Sequence, residues 1–373
     1  MRKICLVKPR LPRLEEIEVD LREMLDSGRL SNFGPFSREL EKRIGAMTGV
    51  KHVISMSSGT TALTLLLNML PKGSEVIVPS FTFLASVQAV LWNSLIPVFV
   101  DVDIESQTMC PSDVASKITL NTSAILAVNT FGSPCLIEEL EALADERGIE
   151  LFFDSAHAIG ARHDGRYLGC YGKAEVFSLS ATKLLPCGEG GVITTNSDAV
   201  YAAMLNRRNY GFTADSRDCE NLGMNGKLTE FCAILGLKEI ESIDDEVVKR
   251  NRIARQYREA LGCLPGIGFQ SVRMNDISAY KDFTITVDSR SFGISRNNLK
   301  GALADRGIET EAYFSPPLHQ MKYFRESVAS KLPNTEALGR QVLSLPIYSD
   351  MTADELEYVI DSIVCCCRSD VLV

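Results

Sequence analysis

The sequence predicts an α/β protein: a large domain on a mostly parallel sheet wrapped by helices, then a smaller α+β domain at the C-terminal end. Two observations carry this expectation. Between His52 and Asn196, short β-branched runs alternate with helical patterns, the rhythm of parallel strands joined by helical crossovers. After Lys227 that rhythm stops; a long charged helical stretch follows, and beyond it lies a shorter β-α-β-like set.

In chain order, Leu14–Leu25 reads as a helix compatible with packing on either domain. Strands are expected at His52–Met56, Glu75–Pro79, Pro97–Asp101, Ala124–Asn129, Glu150–Phe153, Glu175–Leu179 and Val192–Thr195. Helices Thr61–Leu70, Leu84–Trp92 and Leu136–Arg147 lie between the earlier ones. An apolar helical pattern over Phe231–Leu237 leads into Glu239–Leu261, which is long enough to bridge two domains. The smaller unit is expected to hold a strand at Lys281–Val287, a helix at Asn297–Arg306, a strand at Thr310–Phe314 and a closing helix at Ala353–Cys365. The division falls at residues 1–245 and 246–373.

Composition narrows the function classes. With 373 residues, 45% hydrophobic and 23% charged, the chain can bury a substantial core. The formal charge of -9 and the lack of a Lys/Arg stripe argue against a nucleic-acid surface. Met1-Arg2-Lys3 is basic, but Ile4-Cys5-Leu6-Val7 is too short for a signal h-region. The longest apolar stretches, near Phe81–Trp92 and Leu95–Val100, are interrupted by Gln88, Asn93 and Asp101, so no membrane span and a cytosolic location are expected. Four dispersed histidines and eleven cysteines without CxxC pairs suggest no metal site. Cys365-Cys366-Cys367 reads as the reduced end of an apolar helix, with no matching His cluster and no CaaX ending.

Open parallel sheets bind ligands beyond the carboxyl ends of their strands, so polar residues after each apolar run come first. After His52–Met56 comes Ser57-Ser58-Gly59-Thr60-Thr61-Ala62-Leu63, a glycine turn entering an apolar helix. It suits either a phosphate, held by free backbone N–H groups and hydroxyls, or a plain Ser/Thr helix cap. After Glu150–Phe153, Asp154 either holds the proton on a pyridine nitrogen or caps the next turn, and His157 is equally a structural histidine or a cofactor contact. The third end, Phe177 to Gly191, holds Lys183 among small and apolar neighbours before a tight glycine turn. Desolvation there favours the neutral, nucleophilic amine that Schiff-base chemistry needs. Lys183 lies about thirty residues after Asp154, and both stand at strand ends of one sheet, which weakens the alternative of a solvated surface lysine.

These residues resemble the DegT/DnrJ/EryC1/StrS aminotransferases, which act mostly on keto groups of nucleotide-linked sugars. The resemblance spans nearly the whole chain: Ser31-Asn32-Phe33-Gly34-Pro35, Ser58 to Leu63, Pro79-Ser80-Phe81-Thr82-Phe83, Val98-Phe99-Val100-Asp101, Asp154-Ser155-Ala156-His157, Ser178 to Lys183 with Gly188-Glu189-Gly190-Gly191, and Gly223-Met224-Asn225. It implies the fold of aspartate aminotransferase, type I among enzymes dependent on pyridoxal 5'-phosphate. Lys183 would bind that cofactor covalently, and Asp154 would pair with the ring nitrogen. His157 resembles the residue beside the ring oxygen, and Phe83 the aromatic stacked on the ring. Thr60, Thr61 and Ser178 resemble the phosphate ligands. Asn225 resembles a residue that reaches the phosphate from a partner subunit, implying a homodimer with shared sites. Tyr313 and His319, in Tyr313-Phe314-Ser315-Pro316-Pro317-Leu318-His319, resemble the segment near the sugar; a turn-capping role suits His319 equally.

The implied reaction moves an amino group from a donor, usually L-glutamate in this family, to a sugar ketone, with Lys183 first leaving group and then acid and base. Lysine at that position also separates the chain from the family's dehydratases, which carry His there. Two departures bear on the substrate. Ser180 stands where an aromatic residue or His is frequent, so C3 and C4 of the sugar both stay open, although Ser-Ala-Thr-Lys leans toward the 4-keto-6-deoxyhexose group. Lys227 stands where Arg is common, keeping charge without a bidentate fork. A dehydrogenase or nucleotide hydrolase is excluded by the absence of G-x-G-x-x-G and of a phosphate loop. The remaining competitors are amination of a cyclitol-like ketone and a non-catalytic cofactor-binding regulator on the same fold.

Overall fold

A computed structural model describes residues 3–213, 218–325 and 331–367. Helices α1 (Leu14–Ser27) and α2 (Pro35–Thr48) precede strand β1 (His52–Met56). The chain then alternates through α3 (Gly59–Leu67), β2 (Glu75–Pro79), α4 (Leu84–Trp92), β3 (Ile96–Val100), α5 (Pro111–Lys117), β4 (Thr122–Val128), α6 (Ile137–Arg147) and β5 (Glu150–Asp154). The short strands β6 (Arg162–His163) and β7 (Arg166–Tyr167) come before β8 (Ala174–Ser178) and β9 (Gly191–Thr195), which α7 (Asp198–Arg207), α8 (Glu230–Ile240) and α9 (Ile243–Leu261) follow. The remainder holds β10 (Ile267–Phe269), β11 (Asp276–Ile277), β12 (Phe283–Val287), α10 (Ser289–Phe292), α11 (Arg296–Asp305), α12 (Pro333–Gln341), β13 (Val342–Leu345) and α13 (Ala353–Val364).

Seven strands form one sheet in the order β1-β9-β8-β5-β4-β2-β3. Strand β9 runs antiparallel to both neighbours, and the pairs from β8 to β3 are all parallel. Because side chains alternate across a strand, each apolar run feeds two cores. Val76, Val78, Leu126 and Phe152 join Leu63, Leu66 and Val87 on one face. Ile77, Ile125, Leu151 and Phe153 join Leu40, Ile44 and Leu140 on the other. Both faces are covered, as runs without polar alternation require.

Helix α1 settles against α8, where Ile17 and Met24 pack on Ile234. The expected Glu239–Leu261 helix starts later, at Ile243, because α8 continues to Ile240 and the chain turns at Glu241-Ser242. Helix α9 serves two cores: Ile243 and Val247 belong to a core of the large sheet, and Ile253, Tyr257 and Leu261 to a third cluster. In that cluster Tyr257 stacks on Phe283 at 4.9 Å and donates its hydroxyl to the Pro346 carbonyl. Cys367 is buried in the same cluster, whereas Cys365 is exposed. No helix among the described residues is long and apolar enough to cross a membrane.

One expected strand is corrected. Thr310–Phe314 is not a strand; Glu311 makes a single bridge to Ser344, and Phe314 takes a φ of 60°, which turns the chain out of the extended conformation. The third strand of the small sheet is β13, a four-residue run that follows directly on α12, and the sheet β10-β12-β13 is antiparallel. The β-α-β reading failed because Tyr313 and Phe314 have strand-like propensity but line a cavity instead.

Gly132 joins two walls of that region. Its φ is 98°, and a Cβ there would meet the His157 carbonyl oxygen at 2.8 Å and the Tyr280 and Lys281 nitrogens at 3.1 Å. Its own carbonyl accepts from Ala279 N–H at 2.9 Å. Gly132→Ala is expected to cost roughly 2–4 kcal/mol, from the left-handed conformation plus backbone overlap, read as a lower urea midpoint with unchanged slope.

Candidate active site

The carboxyl ends of β1, β5 and β8 open on one cavity of about 300 Å³. Its walls bring together Thr60, Phe83, Asp154, His157, Ser178, Lys183 and Tyr313, seven of the residues singled out from sequence. Ser180, Glu189, Lys281 and Phe314 complete the part of the wall that matters below.

Asp154 ends β5 and is 5% exposed. Ser86 Oγ donates to its Oδ2 at 2.7 Å, and the Ala156 N–H donates to Oδ1 at 3.1 Å. Ser86 is itself coupled to Thr82 Oγ1 at 3.0 Å. Burial raises the Asp154 pKa, and the Ser86 and Ala156 hydrogen bonds and the nearby Lys183 oppose that rise. This carboxylate is held for a cationic partner.

Lys183 sits on an excursion between β8 and β9 whose base is closed by Leu179 N–H to the Gly190 carbonyl and Cys187 N–H to the Leu179 carbonyl, both 2.8 Å. Leu184, Leu185 and Cys187 plug the loop into the core, so the lysine stands on a fixed base. Burial, then the neighbouring Lys281 ammonium, pull its pKa down to about 8; Asp282, Asp154 and Glu189 act in the opposite direction.

The phosphate-like corner is built where α3 begins. Ser58 caps the helix by accepting from Thr61 N–H at 3.0 Å, which leaves first-turn N–H groups without intrahelical acceptors. Gly59 is required there, since a Cβ would lie 3.1 Å from Ser178 Cβ. Thr60 faces the cavity, whereas the Thr61 hydroxyl bonds Ser58 and Ser57 and lies behind the wall.

Phe83 is 62% exposed at the start of α4. His157 is stacked near Phe314, which in turn stacks on Phe131 at 5.4 Å, so an aromatic block fixes its plane. His157 Nδ1 is buried and has no hydrogen-bond partner, and burial followed by the two lysines keeps the imidazole neutral.

Besides Thr61, two expected residues lie outside the cavity wall. His319 is buried beneath it: Nδ1 is 2.7 Å from Ser80 Oγ, its N–H donates to the same oxygen, and Nε2 is 3.7 Å from Glu336. These contacts tie its segment to Ser80 and Glu336, and its side chain is not part of the cavity wall. Asn225 is exposed, in an antiparallel bridge with Asn209, and does not line the cavity of its own chain. Sequence reading missed Ser86, whose position inside a helical pattern gave no sign, and Lys281-Asp282, where two charges directly before an apolar strand were a readable one.

Pyridoxal phosphate fits this donor set. Its protonated ring nitrogen would relieve the buried Asp154 carboxylate, a ring oxygen would satisfy His157 Nδ1, and the phosphate would meet the α3 N-terminus with Thr60 and Ser178. A lysine and a carboxylate so placed at the strand ends of a mostly parallel sheet define a pyridoxal-phosphate-dependent enzyme of the aspartate-aminotransferase fold. Residues 13–364 match the model of the DegT/DnrJ/EryC1/StrS aminotransferase family, and the chain belongs to that family. DesI, solved in the presence of its TDP-sugar product, superposes with a TM-score of 0.93 at 34% identity over 99% of this chain and 94% of that one. S. venezuelae DesV, solved with a ketimine intermediate, gives 0.89 at 31% identity over 97% and 100%. A family member from Brucella abortus gives 0.88 at 29% over 95% and 96%.

Ser86→Ala removes a hydrogen bond to a buried carboxylate, a loss of about 1.5–3 kcal/mol. The expected result is a rise of roughly tenfold or more in the cofactor dissociation constant, measured by equilibrium dialysis.

Proposed function

We propose that this enzyme transfers an amino group from L-glutamate to the keto group of a nucleotide-linked deoxysugar in deoxysugar biosynthesis, with a 4-keto-6-deoxyhexose as the substrate class. The observation that carries this reading is the cavity that joins Lys183, with its amine pKa near 8, to the buried Asp154. The sugar assignment is supported by the likeness to DesI, whose structure holds a TDP-sugar product, and by the short Ser180 side chain at the cavity wall. A cytosolic location belongs to the same reading.

Pyridoxal phosphate supplies, when bound, an electron sink for the negative charge left as a proton departs from the donor or sugar carbon. Asp154 would hold the proton on the ring nitrogen that makes the sink effective, and the Ser86 hydrogen bond favours the charged carboxylate and orients it. Ser178, Thr60 and the first turn of α3 would hold the phosphate, with Thr61 fixing that turn through Ser58. Phe83 would cover one ring face, and His157, whose Nδ1 is buried without a partner, would hydrogen-bond the ring oxygen. Lys183 would hold the cofactor covalently until a donor amine takes its place, which frees the lysine as a base. As a free base it would take the proton from the donor carbon and return it one position along; water then supplies the oxo oxygen and the 2-oxo acid leaves, its amino nitrogen staying behind. With the keto sugar, whose ketone oxygen leaves as water, it would move the proton in the reverse order. Tyr313 lines the sugar side of the cavity.

A homodimer completes the site in this reading. Asn225 is exposed on a segment that also exposes Tyr210, Leu222 and Met224, an apolar surface suited to a second copy of the chain. From that copy Asn225 would reach the phosphate, with Lys227 as a nearby positive charge.

Purified holoenzyme mixed with L-glutamate is expected to lose its visible cofactor absorbance with release of 2-oxoglutarate, and Lys183→Ala to lower turnover by on the order of 10³-fold. No conversion would leave a cofactor-binding regulator instead, and turnover of an inosose in preference to keto-sugar nucleotides would move the substrate to cyclitols. Subunit exchange tests the shared site: Lys183→Ala and Asn225→Ala proteins are each impaired, and a 1:1 mixture should recover about a quarter of wild-type activity, because one site in each hybrid dimer is intact.

A further inference from the structure

Lys281 has no part in the scheme above, yet it is 3% exposed and lines the same cavity as Lys183. Three contacts fix it. Arg250 Nη1 donates to the Tyr280 and Lys281 carbonyls at 3.0 and 3.3 Å, and the Lys281 ammonium donates to Asp282 Oδ1 at 2.8 Å. That ammonium also lies 5.0 Å from the centre of the Tyr313 ring. The other Asp282 oxygen is buried without a partner, so the carboxylate is committed to Lys281. Lys183 has no carboxylate in such close contact among the described residues.

Two lysines in one desolvated cavity cannot both be charged cheaply, because low dielectric strengthens their repulsion. The ammonium held by a carboxylate therefore disfavours a second positive charge on the lysine without one. We propose that Lys281, anchored by Asp282, is a positioning residue for Lys183, whose ammonium raises the unprotonated share of the Lys183 amine whenever that amine is free. This rests on the role given above to Lys183 and adds a second lysine to it.

The charged groups around the pair are consistent with that division. After burial, Lys281 is the next cause of the lowered Lys183 pKa, against Asp282, Asp154 and Glu189. His157 faces both lysines as a neutral ring, and burial keeps Tyr313, beside the Lys281 ammonium, in its neutral form. Arg250 touches the lysine through backbone carbonyls, and burial lowers its own pKa to about 10. The sign follows: lowering a lysine pKa raises the fraction of free base at a given pH, and each pKa unit regained on loss of Lys281 cuts that fraction about tenfold.

The test is competitive acylation of cofactor-free protein with trace acetic anhydride from about pH 6 to about pH 10, reading label on the Lys183 peptide by mass spectrometry. The wild-type midpoint is expected near about 8. Lys281→Met should move it upward and cut labelling at neutral pH several-fold, whereas Lys281→Arg should hold it near wild type. If the methionine variant does not fold, Lys281→Gln carries the same expectation. An unchanged midpoint in the folded variant, with a raised KM for one substrate alone, overturns the proposal and makes Lys281 a substrate contact. Borohydride reduction of wild-type holoenzyme and peptide mapping is a separate check: label on another lysine would sink the role of Lys183 itself, whatever the titration shows.

Discussion

A sheet whose strands are apolar on both sides leaves polar chemistry one place to gather, the strand ends. Val76, Ile77 and Val78, or Leu151, Phe152 and Phe153, point alternately into two cores, so a charged group on either face must bring its own partners, as the buried Glu175 of β8 does with Ser155, Gly169 and Tyr171. Asp154 follows such a run, and Ser178 closes another; Thr60 follows a third. The requirement that both faces be buried thus delivers the site residues to one edge of the molecule.

Once they are there, desolvation governs their chemistry. Burial pushes the Asp154 carboxyl up and the Lys183 amine down, opposite directions that both favour the neutral form. The structure resists the first shift with Ser86 and the Ala156 N–H, and reinforces the second with Lys281. A carboxylate kept ready for a cation and an amine kept ready to accept a proton are the two properties that transamination asks of the protein; the cofactor brings the rest.

The small sheet contributes by proximity. Lys281 stands just before β12, and Tyr313 and Phe314 lie on the segment that fails to become a strand. Gly132 brings the Tyr280-Lys281 backbone and the His157 carbonyl close together, and only a residue without a Cβ permits that approach. Helix α9, with one end in each core, ties the two sheets together.

By itself the sequence determined the strand and helix rhythm of the large sheet, because period-two and period-3.6 burial patterns are local, and β1, β2 and α4 were read to the residue. It also placed Lys183 and Asp154 at strand ends, since an apolar run followed by a polar residue is visible along the chain. Tertiary structure decided what depends on partners distant in sequence. Phe314 left the strand pattern to stack on Phe131, and β13 took its place; His319 turned inward to Ser80; Ser86 and Lys281 met Asp154 and Lys183 across gaps that no periodicity encodes. Hydrogen bonds and charge repulsion act through space, so the sequence could single out Lys183 while the fold had to set its proton affinity.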